Sequence, residues 1–171
     1  MDARRVLAKT EKTYAVWREV LEGRGEQDYG RAPAAGGWTL GQLCDHVTLV
    51  SSAFLDAVEA LTRGEGEERR GSFLAAAMCA VGSFPPFRLK VPPNLPDEVK
   101  RAADPDPLPR ADALERFDAV ARRTRELCDA VAAAPRRLRS EHPAAGWVNA
   151  RQWYQLSEMH MRHHLRQLKR T

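Results

Sequence analysis

The sequence predicts an all-α protein, a four-helix bundle with one long proline-rich crossover. Three observations point there. Apolar residues recur at three- and four-residue spacing in every long segment, as they do on helices with one buried face. No segment alternates polar and apolar residues long enough to make a strand, so negligible strand is expected. Most of the eleven prolines fall between residues 84 and 109, where no period is sustained.

The first helix is expected from about Ala3 to Glu22, where Val6, Leu7, Tyr14, Trp17, Val20 and Leu21 share one face. Gly23, Gly25 and Gly30, then Pro33, Gly36 and Gly37, end it and supply a loop. A second helix begins at Thr39. Thr39 and Gln42 fit the capping box, in which each side chain satisfies a backbone N–H left over at the helix start. Its stripe runs through Leu43, Val47, Val50, Phe54, Leu55, Val58 and Leu61, with His46 beside it. Residues 73–81 are apolar all round and predict a short buried helix. The 84–109 stretch is read as an irregular crossover. A loop of that length is uncommon unless it covers a site, so it is expected to border one as a lid or wall. Leu114, Phe117, Val120, Ala121, Thr124, Leu127, Cys128 and Val131 mark a third long helix, stopped by Pro135. After a short basic turn at Arg136–Arg139, the last helix starts at Asn149 with Gln152 at the box position. Gly37-Trp38 and Gly146-Trp147 precede these two caps alike, so the two tryptophans are expected to seal the same end of the bundle.

A length of 171 residues suits one domain, 1–171, with a real core. The 27 basic residues exceed the 23 acidic ones by only four, and the excess is spread along the chain. A nucleic-acid binder concentrates that excess on one element, so no nucleic-acid partner is expected. No run approaches the roughly 18 apolar residues of a membrane span, and no signal peptide is visible, so no membrane partner is expected. Cys44, Cys79 and Cys128 are odd in number, far apart and without a Cys-x-x-Cys pair. They read as reduced, inert core thiols of a cytoplasmic protein.

The last helical run, from Trp153 to Leu168, holds three of the five histidines. His160 and His164 are four apart and share a face with Trp153, Leu156, Gln167 and Leu168. Neutral imidazoles are common ligands of transition metals, and one helical turn lets two rings reach one ion. His46 offers a third ring from the second helix. Read from the residues alone, the three fit either a site of three nitrogens with an open coordination position or a set of hydrogen-bonded core histidines. His163 lies about 100° around the helix from His164 and reads as a helix-end cation. His142, before a proline, reads as structural. The zinc-protease motif needs Glu directly after the first His, and Met161 stands there instead. No phosphate loop and no nucleophile elbow is present.

The stretch Trp38-Thr39-Leu40-Gly41-Gln42-Leu43-Cys44-Asp45-His46 resembles the first motif of the DinB/YfiT-like superfamily of metal-dependent enzymes. His142-Pro143-x-x-Gly146, Trp153 and His160-x-x-x-His164-Leu165-Arg166-Gln167 resemble its C-terminal motif. The match runs through nearly the whole chain in helix order and is nearest to a small-bundle branch of unsettled function. Ala144-Ala145 depart from it where a bulky or aromatic residue is common, which bears on pocket shape. The resemblance implies a four-helix bundle, often a homodimer, in which His46, His160 and His164 hold a divalent metal ion, zinc or nickel. It also implies a small-molecule substrate, and in some relatives a low-molecular-weight thiol such as bacillithiol or mycothiol. Two functions stand side by side. One is a hydrolase or thiol S-transferase that activates a water or a thiol; the other is a non-catalytic metal-binding or partner-binding dimer.

Overall fold

The computed structural model describes residues 2–33, 36–84 and 97–168. Among them the chain is mostly helical. The helices are α1 (Ala3–Gly23), α2 (Glu26–Gly30), α3 (Leu40–Thr62), α4 (Phe73–Val81), α5 (Asp97–Ala103), α6 (Arg110–Ala133) and α7 (Ala150–Leu168). Three short strands accompany them: β1 (Glu67–Glu68), β2 (Leu138–His142) and β3 (Gly146–Val148).

Three of the four long helices start at side-chain caps, and the fourth, α6, follows Pro109 without one. Asp2 accepts the Arg4 N–H at the head of α1. At α3 the full capping box forms: the Thr39 N–H donates to Gln42 Oε1 at 3.0 Å, and the Gln42 N–H to Thr39 Oγ1 at 3.2 Å. Asn149 and Gln152 repeat the exchange before α7, at 3.0 and 3.1 Å. Each reciprocal pair satisfies two backbone donors that a bare helix end leaves orphaned.

Packing then follows the apolar stripes. Helix α3 lies against α6 and α7, and α1 lies against the same two from the other side. Trp17, Leu21, Leu55, Val58, Leu61, Val131, Leu156 and Met159 are sealed between them. Burying each such side chain contributes about 1.5–3 kcal/mol. Trp17 stacks on Phe117 at 5.1 Å and donates its indole N–H to the Met161 carbonyl at 3.2 Å, tying α1 to both partners. Helices α3 and α7 run antiparallel: His46 meets His160 and His164, while Phe54, two turns on, meets Trp153. This puts Trp38 and Trp147, at the starts of α3 and α7, at opposite ends of the helix pair. The expectation that they seal one end is therefore corrected; a shared cap motif says nothing about direction.

Three other local expectations change. The basic turn at 136–139 leads into strand structure: β2 pairs with β1 (Glu68↔Leu138) and with β3 (Glu141↔Trp147), both antiparallel. Strands of two to five residues are too short to show a period. Helix α4 forms where it was expected but is not buried, since Phe73 is 88% and Val81 78% exposed. Only Ala75, Met78 and Cys79 of that helix face inward, because a surface element offers one face to the core whatever its composition. Within 84–109, residues 97–103 are helical, and 85–96 lie outside the described residues.

Candidate metal centre

The antiparallel register of α3 and α7 brings the three histidines together. Their Nε2 atoms form a triangle with edges of 3.1 Å (His46–His160), 3.2 Å (His46–His164) and 3.1 Å (His160–His164). These three are the group of His, Cys, Asp or Glu side chains, among the described residues, that could hold a metal ion. Two of the rings have a settled tautomer. His46 Nδ1 lies 2.6 Å from the carbonyl of Ala102 on α5, which only accepts, so Nδ1 carries the proton. His164 Nδ1 donates to Gln167 Oε1 at 2.8 Å. Both Nε2 atoms therefore present lone pairs to each other. His160 has a single proton to offer, which cannot serve all three edges of the triangle.

Electrostatics leave the rings without charge at neutral pH. Burial pushes His164 down to about 3, helped by the neighbouring His46 ring. Burial also lowers His46, against the opposing pull of the Ala102 carbonyl. His160 falls well below the usual histidine range, again through burial first and then through His164 and His46. Two inward lone pairs, and a third neutral ring whose Nε2 can present its own once its proton moves to Nδ1, make the donor set a divalent cation takes. Ligands about 2.0–2.1 Å from a tetrahedral ion lie about 3.3 Å apart, close to the edges found here. The donor set fits.

Aromatic rings wall the cluster. Trp38 packs against His46 at 4.8 Å and Phe54 against His160 at 6.0 Å. The described part of the 84–109 stretch reaches the site through Ala102, and the Gln42 amide ties it down by donating to the Pro105 carbonyl at 3.2 Å.

The remaining histidines lie elsewhere. His163 is exposed and in contact with Gln167 and Phe84. His142 Nδ1 accepts the backbone N–H groups of Ala144 and Ala145, at 3.0 and 3.1 Å, and so closes the β2–β3 turn. It stacks on Trp153, and burial lowers it to about 4. Its acid behaviour follows. From pH 6.5 downward the unfolded chain takes up a proton that folded His142 refuses until about pH 4, so stability falls over that window. His142→Asn keeps an acceptor for the turn, and its stability loss between those two pH values is expected to be smaller by up to about 3 kcal/mol. Urea unfolding of both proteins across the window measures it; equal slopes refute the assignment.

The cysteines are free and buried, and burial pushes Cys44 up to about 12 and Cys79 to about 11, so neither is poised as a nucleophile. Glu158 turns to the opposite side of α7, where it meets Thr13 and Arg162. Sequence reasoning missed the Ala102 carbonyl, because a main-chain group carries no residue signature. It also missed the partners of Asp45, which comes directly before His46.

The family model of the DinB superfamily matches residues 9–168. The chain belongs to the DinB superfamily. No curated protein and no solved structure matches it significantly. No helix among the described residues is long and apolar enough to cross a membrane.

Proposed function

We propose that this chain is a metal-dependent enzyme in which His46, His160 and His164 hold a divalent ion, zinc or nickel. The observation that carries the reading is the triangle of Nε2 atoms, with two of its lone pairs fixed inward by Ala102 and Gln167. Held by three protein nitrogens, a divalent ion would keep room for a further ligand and would supply Lewis-acid activation of a water or a thiol. The chain's own residues do the rest. Ala102 and Gln167 hold two rings in the ligating tautomer, and Trp38 and Phe54 shield the donors from bulk water. The reaction is of hydrolase or thiol S-transferase type on a small-molecule substrate, with a low-molecular-weight thiol as the co-substrate such a position suits.

Four long helices, each packed on two of the others, support reading the scaffold as one four-helix-bundle domain over 1–171. Superfamily membership and the exposed apolar side chains of α4 support a homodimer. Three free buried thiols support a cytoplasmic setting.

Cobalt(II), a spectroscopic stand-in for zinc, tests the open position. Titrating the cobalt-loaded protein with 2-mercaptoethanol is expected to produce a sulfur-to-metal charge-transfer band in the near ultraviolet. An unchanged spectrum with cobalt bound means a closed site and favours the non-catalytic reading.

A further inference from the structure

Next to His46 in sequence, and about 100° around α3 from it, lies Asp45. Its side chain is 1% exposed, and a carboxylate so buried must find donors or be very costly. It finds three. Oδ2 accepts from Arg101 Nη1 at 2.8 Å and from the Asp106 N–H at 3.0 Å, and Oδ1 accepts from Arg116 Nη1 at 2.8 Å. Two of these donors, at residues 101 and 106, bracket the segment that contains Ala102. Arg101 also pairs with Asp106 at 2.9 Å and donates to the Asp104 carbonyl at 3.4 Å, so the bracket is closed on itself.

Helix α5 needs such a hold. It has seven residues, too few to be stable alone, and it packs chiefly on α3. Among the described residues it reaches the histidine cluster through the Ala102 carbonyl on His46 Nδ1. We infer that Asp45 is a positioning residue for the metal site: through Arg101 and the Asp106 N–H it holds residues 101–106 in place, so that the Ala102 carbonyl keeps the His46 Nε2 lone pair aimed inward. The inference rests on the metal reading above and adds to it the device that sets the third ligand.

The two arginines separate positioning from plain stabilisation. Arg101 and Arg116 bind Asp45 at the same distance and are similarly exposed, 41% and 45%. A purely structural role predicts that losing either lowers stability while His46 keeps its tautomer. Positioning predicts a difference, since only Arg101 adjoins Ala102.

The experiment compares wild type with Asp45→Asn, Arg101→Met and Arg116→Met. Zinc and nickel affinities are measured by competition with a chromophoric chelator, and the His46 tautomer by long-range proton–nitrogen NMR of the metal-free proteins. Asp45→Asn and Arg101→Met are expected to weaken metal binding by about 10–100-fold, the usual cost of losing a group that orients a ligand. In both, His46 becomes a mixture of tautomers. Arg116→Met weakens binding by less than about fivefold, the worth of one half-exposed ion pair, and keeps His46 protonated on Nδ1. Arg101 is a surface side chain, so its variant remains informative should Asp45→Asn fold poorly. Unchanged affinity and tautomer in Arg101→Met overturn the inference while the metal reading stands. Equal losses in the two arginine variants, with the tautomer intact, also overturn it in favour of a structural role. Wild-type protein that binds neither ion overturns the metal reading, and this inference with it.

Discussion

Alanine at His46, His160 or His164 is expected to remove most of the metal that the wild type takes up on reconstitution, because two imidazoles hold an ion far less tightly than three. His163→Ala and His142→Ala are expected to keep nearly all of it, since His163 is exposed and His142 is occupied in the β2–β3 turn. Elemental analysis of the wild type and the five variants gives the metal content. Thermal unfolding supplies an independent reading. Binding to the folded state alone stabilises by about 4 kcal/mol when free metal is a thousand times its dissociation constant. For a chain of this size that is a rise of roughly 10 °C in Tm. The rise should vanish in the three triad variants and persist in the other two. Without metal each triad variant should show the ordinary cost of truncating a buried ring, and His46→Ala also leaves the Ala102 carbonyl without its donor. Core histidines that hold no metal would show that same cost and no metal-dependent difference between variants and wild type. Equal metal in wild type and His164→Ala would falsify the triad assignment.

The second large effect belongs to the other face of α7. Arg162 donates to both oxygens of Glu158, at 2.7 and 3.0 Å, and to the Gly82 carbonyl at 2.7 Å. The Glu158 side chain is 3% exposed, and its only other partner among the described residues is Thr13, at 3.4 Å. Arg162→Leu strands that carboxylate in the interior and is expected to cost about 3–5 kcal/mol in urea unfolding. The double variant Glu158→Leu, Arg162→Leu removes the buried charge as well and should recover most of the loss. Residue 162 lies about 200° around the helix from both 160 and 164, so Arg162→Leu should still bind metal. A loss below about 1 kcal/mol, the scale of a surface pair, would show that the Glu158 carboxylate is not relying on Arg162. A double variant no more stable than the single one would lead to the same conclusion.

Much of the scaffold was legible because helical information is local. The rise and rotation per residue are constants of the backbone, so the spacing of Val47, Phe54 and Leu61, or of Leu156 and Leu168, reports a helix and its inner face directly. The caps are local too: Thr39 with Gln42, and Asn149 with Gln152, work across three residues and form as their identities dictate. The strands β2 and β3 were not legible. Their pairing is held by a turn in which His142 acts as a hydrogen-bond acceptor, a role that leaves no periodic trace.

The candidate site divides along the same line. Sequence alone places His160 and His164 on one face of one helix, because four residues make nearly a full turn. It supplies His46 as a candidate third ring and, through the capping box, a start for the helix that carries it. Only the tertiary structure decides that α3 and α7 run antiparallel in the register that brings His46 to the pair, 114 and 118 residues away in sequence. Only the tertiary structure brings Arg101 and Arg116, 56 and 71 residues distant, onto Asp45, and a main-chain carbonyl onto His46. The reason is physical. Residues within a helix are related by backbone geometry that every sequence shares. Residues on different helices are related by how their buried side chains interdigitate, and that depends on the whole core at once.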